Sequence, residues 1–220
     1  MLLSMLLTGA LCSTPLCSAA PTVTDAPSAA VDAPTLVASL KRATPARTAY
    51  TEVRFSGLLD RPLILHGELE YAGPGKLGKR VDTPYREQVN VADGTASVRR
   101  GDAAPRTFSL DQAPELEGFL RGFAALLGGD AKTLAEDFNF SASGNTARWR
   151  LTLKPRDSRL ARRTSAIDVD GVGSTPRCFR TREADGDVSV LLVDTLASAK
   201  LSSNSSQPQI DALCRGLKAR

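Results

Sequence analysis

Alternation between apolar and polar residues is the dominant pattern of the chain after residue 48. Four large apolar side chains share one face of a strand predicted over residues 63–71: Leu63, Leu65, Leu69 and Tyr71. His66, Glu68 and Glu70 occupy the opposite face. Because successive side chains of a strand point to opposite faces, this run predicts an antiparallel strand with one apolar and one polar face.

The same period of two recurs along the chain. Trp149, Leu151 and Leu153 alternate with polar residues, and Glu52 and Arg54 lie on the strand face opposite Thr51, Val53 and Phe55. Further short strands are predicted near residue 81 and at residues 88–91, 96–99, 106–110, 167–169, 178–182 and 188–193. Asp93-Gly94 and Gly101-Asp102 supply turns between them, so these segments predict one antiparallel sheet.

Helical spacing interrupts the strand pattern in the middle of the chain. Residues 114–127 place six apolar side chains on one helical face: Leu116, Phe119, Leu120, Phe123, Leu126 and Leu127. Gly128-Gly129 ends this helix, and a second short helix is predicted at residues 131–137. Short helices are also predicted near Leu36 and at the C-terminus. The chain is therefore predicted to be an α+β protein.

The N-terminal residues divide into two segments before the folded part. Residues 2–11 are almost entirely apolar and are followed by small residues at 17–20, which is typical of a secretory signal peptide at residues 1–20. Residues 21–34 are rich in Pro and Ala and predict a flexible leader. We expect a single soluble domain at residues 35–220, outside the cytoplasm.

Composition limits the classes of partner. Hydrophobic residues make up 42% of the chain and charged residues 24%, as in globular proteins. The net charge of +4 is spread along the chain rather than clustered, so we expect no nucleic-acid binding. Cleavage of the signal peptide leaves Cys178 and Cys214, which are expected to form a disulfide in an oxidising compartment. The chain has one histidine, and no metal site is predicted.

Two nucleotide-binding patterns occur in residues 73–79, GPGKLGK, which match G-x-G-x-x-G and G-x-x-x-x-G-K. Both patterns require a helix directly after the glycines, whose backbone amides bind phosphate. Arg80 stands where a magnesium-binding Ser or Thr belongs, and Pro84 opposes a helix. We therefore predict a tight turn and neither nucleotide nor cofactor binding.

Catalytic and calcium-binding interpretations rest on few residues. His66 is a candidate base for an acyl hydrolase, but the chain has no G-x-S-x-G nucleophile motif. Asp168 and Asp170 precede a glycine, as in calcium loops, but no glutamate follows at the position of the twelfth ligand. His66 is therefore predicted to be a cross-strand or surface residue, and the two aspartates are predicted to lie at a turn.

The apolar faces of the sheet and of helix 114–127 leave two interpretations open. In one, the two faces bury each other as an ordinary core. In the other, the sheet curves and the helix covers a cavity for an acyl chain.

The order of these segments resembles the LolA-like periplasmic lipoprotein carriers of Gram-negative bacteria. The resemblance covers residues 36–193 and rests on Phe55, Leu63, Gly67, Leu69, Tyr71, Pro74, Leu77, Asp93-Gly94 and Leu153-Lys154-Pro155. It implies a strongly curved antiparallel half-barrel with short helices as a lid on its concave face. It also implies a non-enzymatic, monomeric periplasmic carrier of acylated lipoprotein or lipid cargo, with an inner-membrane donor and an outer-membrane acceptor.

Transferred to this chain, the resemblance implies a hydrophobic cavity wall of Leu63, Leu65, Leu69, Tyr71, Trp149, Leu151 and Leu153. The corresponding lid is formed by Leu116, Phe119, Leu120, Phe123 and Leu126. Carriers of this family place an arginine directly before the proline of the turn, where it holds the lid closed, whereas this chain has Gly73. A specialised lipid or polyene-pigment conjugate is an alternative cargo. The classes that compete with a carrier are an extracytoplasmic acyl hydrolase and a partner-binding sensor domain.

Overall fold

The computed structural model describes residues 30–217. The predicted signal peptide and residues 21–29 of the predicted leader lie outside the described residues. Within the rest of that leader, Ala30 forms a β-bridge with Asn145, and the first helix already begins at Ala33. The helices are α1 (Ala33–Ser39), α2 (Pro114–Gly128), α3 (Ala131–Asp137), α4 (Ser158–Ala161) and α5 (Gln207–Cys214), with 3-10 helices at Leu110–Gln112 and Asp194–Ser198.

Eleven antiparallel strands form one curved, unclosed sheet. They are β1 (Ala46–Phe55), β2 (Leu63–Gly73), β3 (Lys76–Thr83), β4 (Glu87–Ala92), β5 (Thr95–Arg100), β6 (Arg106–Ser109), β7 (Phe138–Asn145), β8 (Arg148–Pro155), β9 (Thr164–Val172), β10 (Thr175–Glu183) and β11 (Val188–Val193). Their order is β6-β5-β4-β3-β2-β1-β11-β10-β9-β8-β7. The predicted fold class is confirmed.

Strand β1 lies at the centre of the sheet and joins its two halves. It pairs with β2 on one side and with β11, the last strand of the chain, on the other. Four successive residues of β1, Tyr50 to Val53, are buried. Because their side chains alternate between the two faces, both faces of the sheet are covered at this strand.

Helices α1, α2 and α3 cover the concave face. Their side chains form the main core with β7, β8 and β9, around Leu36, Leu126, Leu134, Phe138 and Trp149. The two predicted helices are confirmed: α2 ends at Gly128 and is followed by Gly129, whose φ of 71° is in the left-handed region. Asp130 caps α3 by accepting from Lys132 N and Thr133 N.

The convex face is covered by the C-terminal segment. Helix α5 packs on β1, β10 and β11 through a second apolar cluster of Val53, Val190, Leu192 and Ile210. The structure joins Cys214 at the end of α5 to Cys178 of β10 by a disulfide. The helix that covers the convex face is therefore attached to the sheet covalently.

Candidate functional site

A cavity of about 1130 Å³ lies between α2 and the concave face of the sheet. Strands β1 to β4 and β9 to β11 form its floor, and one face of α2 covers it. Most of its lining is apolar, including Leu63, Leu69, Tyr71, Leu77, Val91, Leu116, Phe119, Leu120, Phe123, Leu127, Phe179 and Leu191. A large apolar concavity of this kind is the usual form of a ligand-binding site.

Three residues of β2 from the predicted cavity wall border this space. Leu63, Leu69 and Tyr71 line the cavity. The prediction is wrong for Leu65, which is completely buried and does not line the cavity. Leu65 lies on the concave face opposite Glu52 of β1, and neighbouring side chains cover it.

The predicted contribution of β8 to the cavity is also wrong. Trp149, Leu151 and Leu153 are on the concave face, but each is at most 3% exposed and belongs to the core beneath the helices. Trp149 also donates from Nε1 to the carbonyl oxygen of Gly173, at 2.7 Å. Helices α1 and α3 occupy this half of the concave face. Strand alternation identifies the face but carries no information about which half the helices fill.

Helix α2 contributes four of its five predicted residues. Leu116, Phe119, Leu120 and Phe123 line the cavity. Leu126 does not, because it is only 1% exposed and packs in the main core. Its neighbour Leu127 lines the cavity instead, since it lies one helical turn after Phe123 on the same face.

An aromatic row crosses the roof of the cavity. The rings of Phe119 and Phe123 are stacked, with centroids 6.4 Å apart, and Phe123 meets Phe179 of β10 in a tilted contact at 5.5 Å. All three residues line the cavity. The row therefore links α2 to the floor of the cavity by ring contacts that add to simple burial.

A polar network at Glu52 lies within this apolar cavity. Oε1 of Glu52 accepts from Arg54 Nε and from Ser189 Oγ, both at 2.7 Å, and Oε2 accepts from Lys79 Nζ at 2.6 Å. Glu52 is 3% exposed. Burial acts to raise the pKa of Glu52, but hydrogen bonds and charge from Arg54 and Lys79 outweigh it, so the pKa of Glu52 lies below its ordinary value.

Sequence reasoning missed this network. Alternation correctly separated Glu52 and Arg54 from Val53, but the register decides which face they share with other strands. Glu52 lies opposite Leu65 of β2 and Leu191 of β11, so it projects into the concave, apolar side of the sheet. The sequence signal for this network is a glutamate in a strand whose two neighbouring strands are apolar. That signal can be used only when the pairing of the strands is known.

Tyr50 packs against the Lys79 side chain of this network. Its hydroxyl donates to the carbonyl oxygen of Arg80 at 3.1 Å, and Lys79 Nζ lies 5.3 Å from the centre of its ring. Burial, with a further contribution from the charge of Glu52, raises the pKa of the Tyr50 phenol. Gly67 makes this arrangement possible, because a Cβ there would overlap the Arg80 carbonyl and crowd the Tyr50 hydroxyl.

One end of the cavity is bordered by polar and exposed residues. The loop after β1 carries Leu58, which is 95% exposed, and the hairpin between β10 and β11 contributes Glu183, Asp185 and Asp187. Burial and the charges of Asp185 and Asp187 raise the pKa of Glu183. This acidic border, formed by Glu183, Asp185 and Asp187, is called the mouth below.

His66 lies away from the cavity, on the convex face of β2. The Thr51 hydroxyl donates to the carbonyl oxygen of Ala197 at 2.6 Å, so it accepts from Nδ1 of His66 at 2.8 Å. His66 is thus a cross-strand residue, as predicted, and its Nδ1 carries a proton.

Asp168 and Asp170 lie in β9 rather than at the predicted turn, and they form ion pairs on the convex face. Asp170 pairs with Arg150 at 2.8 Å, and Asp168 pairs with Arg182 at 3.0 Å. In the described part of the chain there is no group of three or more residues suited to hold a metal ion.

The glycine-rich segment after β2 forms a turn. Gly73 and Gly75 have φ values of 128° and 68°, which favour glycine, and Lys76 begins β3. A strand therefore follows the glycines, whereas a phosphate-binding loop needs a helix. Within residues 30–217, no helix is long and apolar enough to cross a membrane.

Comparison with known proteins connects this architecture to a family. The family model for outer membrane lipoprotein carrier protein LolA-like matches residues 25–217. No curated protein matches the sequence.

Solved structures of low sequence identity are also similar. A LolA superfamily protein from Nitrosomonas europaea has 12% identity and a TM-score of 0.42, with 78% of this chain and 96% of that chain covered. A DUF1329 family protein from Desulfovibrio piger has 9% identity and a TM-score of 0.40, with 77% and 93% covered. LprF from Mycobacterium bovis has 8% identity and a TM-score of 0.35, with 79% and 96% covered.

Proposed function

The chain belongs to the LolA-like outer membrane lipoprotein carrier proteins, and on that premise we propose that it is a periplasmic carrier of acylated cargo. It binds the acyl chains of a lipoprotein or lipid in the cavity beneath α2 and transfers them toward the outer membrane. An inner-membrane donor and an outer-membrane acceptor are part of this proposal.

The observation that carries the proposal is the apolar lining of the 1130 Å³ cavity. Leu69 and Tyr71 from the sheet face Phe119, Leu120 and Phe123 from α2 across a space that side chains leave open. Each methylene of a ligand that enters it gains about 0.8 kcal/mol. About ten methylenes therefore contribute about 8 kcal/mol before the costs of association are subtracted.

The placement of polar groups supports binding without covalent chemistry. The cavity carboxylate of Glu52 is engaged with Arg54, Lys79 and Ser189, and His66 is held by Thr51 on the opposite face of the sheet. A hydrolase interpretation based on His66 would require this side chain to reach the acyl group through the sheet. The carrier function needs only reversible burial of the chain.

Replacing Leu69 by glutamate tests the cavity directly. Leu69 is half-buried and lines the cavity, so a carboxylate there places a charge against the apolar chain. We expect Leu69→Glu to weaken binding of a neutral apolar fluorophore at least about tenfold, which corresponds to about 1.4 kcal/mol. Fluorescence titration of the purified protein measures the affinity.

Val172→Glu is the matched control, because it adds the same charge at an exposed position of β9 outside the cavity. Its affinity should equal that of the unmodified protein. Equal binding by all three proteins would show that the fluorophore binds elsewhere and would overturn the cavity assignment.

A further inference from the structure

The lining of the cavity changes from apolar to charged along β1. Ala46 lies opposite Tyr71, Thr48 opposite Leu69, and Arg54 opposite Leu63. At a rise of about 3.3 Å per residue, Arg54 lies about 20 Å along the strand from Thr48. The cavity is therefore amphipathic: most of its lining is apolar, and Glu52 and Arg54 of β1, together with Lys79, which lies opposite Leu69, place charged groups in the same space.

The polar network at Glu52 contains two cationic side chains, Arg54 and Lys79, and one carboxylate. Arg54 has five N–H donors and Lys79 has three. Among the residues that the structure describes, Arg54 donates from Nε and Lys79 donates from Nζ, and both donate to Glu52. Two cations thus meet one carboxylate, which also accepts from Ser189. The remaining donors of Arg54 and Lys79 belong to side chains that line the cavity.

An alkyl chain that fills the cavity changes the surroundings of this excess positive charge. Arg54 and Lys79 are 41% and 28% exposed, and a bound chain displaces the water that solvates them. An uncompensated cation in apolar surroundings is strongly unfavourable. An anionic group on the same ligand offsets this cost, since it can accept from both side chains.

We propose that the cargo carries an anionic group, a phosphate or a carboxylate, which binds to Arg54 and Lys79 while its alkyl chain lies beneath α2. This inference rests on the proposed carrier function and specifies its class of ligand. Lys79 is then a specificity-determining residue, because it supplies the charge that Glu52 and Arg54 do not balance between them.

The other charges around the cavity affect Arg54 more than Lys79, because β11 and its hairpin lie beside β1, whereas β3 is separated from them by β2 and β1. The mouth is acidic, through Glu183, Asp185 and Asp187, and Arg163 lines it as well. Asp187 accepts from the backbone N–H of Gly57. An anionic group is repelled by the carboxylates at the mouth and attracted by the pair Arg54 and Lys79, whereas a cationic group has the opposite preference.

The test compares ligands that differ only in the polar group. Hexadecyl phosphate, palmitate, hexadecanol and hexadecyltrimethylammonium compete with a neutral apolar fluorophore for the purified protein at pH 8 and low salt. Hydrogen bonds to charged groups contribute enough to expect at least about a tenfold preference for the better anion over hexadecanol. The phosphate and carboxylate arms show which anion is preferred.

Variants of Lys79 test whether this side chain causes the preference for an anionic ligand. In Lys79→Gln the preference for the anion should fall to within about twofold, and in Lys79→Arg it should be retained, because a cation remains beside Glu52. Lys76→Gln is the matched control, since it removes the same charge from an exposed position of the same strand outside the cavity. It should keep the full preference.

The outcomes separate this inference from the proposed function. Equal affinity for hexadecanol and both anions, tighter binding of the cationic ligand, or a preference that survives Lys79→Gln would each overturn the anion site while leaving a lipid cavity in place. Failure of all four ligands to displace the fluorophore would instead contradict the proposed function itself.

Discussion

Glu52 is a charged residue that is buried in mostly apolar surroundings. It is a carboxylate within an apolar concave surface, and it stays ionised because Arg54, Lys79 and Ser189 donate to it. Its pKa lies below the ordinary value of 4.5. The unfolded chain therefore binds a proton that the folded protein has released, and the free energy of unfolding rises with pH in that range.

Replacing Glu52 by glutamine should lower the free energy of unfolding by about 2 kcal/mol at pH 7, because charge-assisted hydrogen bonds are lost. The difference from the unmodified protein should shrink as the pH falls below about 4.5, because this carboxyl is then protonated in the unfolded chain, and it should be lost once the pH falls through the lower pKa of folded Glu52. Urea unfolding at pH 7 and pH 3.5, followed by the fluorescence of the buried Trp149, measures it.

Asp32, Asp130 and Asp157 also have lowered pKa values, through hydrogen bonds at helix N-termini. They are present in both proteins, so the comparison cancels their effect. A difference of the same size at both pH values would contradict a stabilising ionised Glu52.

At the level of elements, the position of α2 depends on small residues. Gly122 lies against the ring of Phe138, which a Cβ would overlap, and Gly118 lies where a Cβ would be 3.1 Å from Asp137 Oδ1. Arg121 between them donates to both oxygens of Asp137, at 2.6 and 2.9 Å. These contacts hold α2 against α3.

Gly122→Ala and Gly118→Ala form a matched pair. Both gain about 1 kcal/mol of helix propensity, but Gly122→Ala also forces α2 away from the buried Phe138, at a cost of about 1–3 kcal/mol. We expect Gly122→Ala to be less stable than Gly118→Ala by that amount in urea unfolding. Equal stability would show that α2 does not depend on the close approach at Gly122.

The elements with strong periodicity could be predicted, and a weakly patterned strand could not. Helix α2 follows from its apolar spacing and from Gly128-Gly129. Strand β7 was missed, although Phe138, Phe140 and Ala142 alternate with polar residues, because its Ser, Asn and Gly residues have low strand propensity. Leu127 lines the cavity in place of the predicted Leu126 because of the rotation of α2 about its axis. This rotation is determined by packing and cannot be read from the spacing of apolar residues.

In the whole molecule, the two faces of the sheet are covered in different ways. The convex face is closed by α5 and its disulfide, and the concave face is core beneath α1 and α3 but open beneath α2. The antiparallel sheet could be predicted because alternation along the strands indicates it, whereas its strong curvature was implied only by the family resemblance. The division of the concave face could not be, since Trp149 and Leu69 have the same pattern in their strands and differ only in which helix covers them.

Native mass spectrometry of the protein purified without detergent tests directly whether the cavity holds an acylated ligand. We expect one acylated molecule per chain in the unmodified protein and in Val172→Glu, and none in Leu69→Glu. On denaturation, the measured mass should fall to that of the protein without ligand. Unmodified protein that is free of ligand as purified, and stays free after incubation with a bacterial lipid extract, would contradict this expectation.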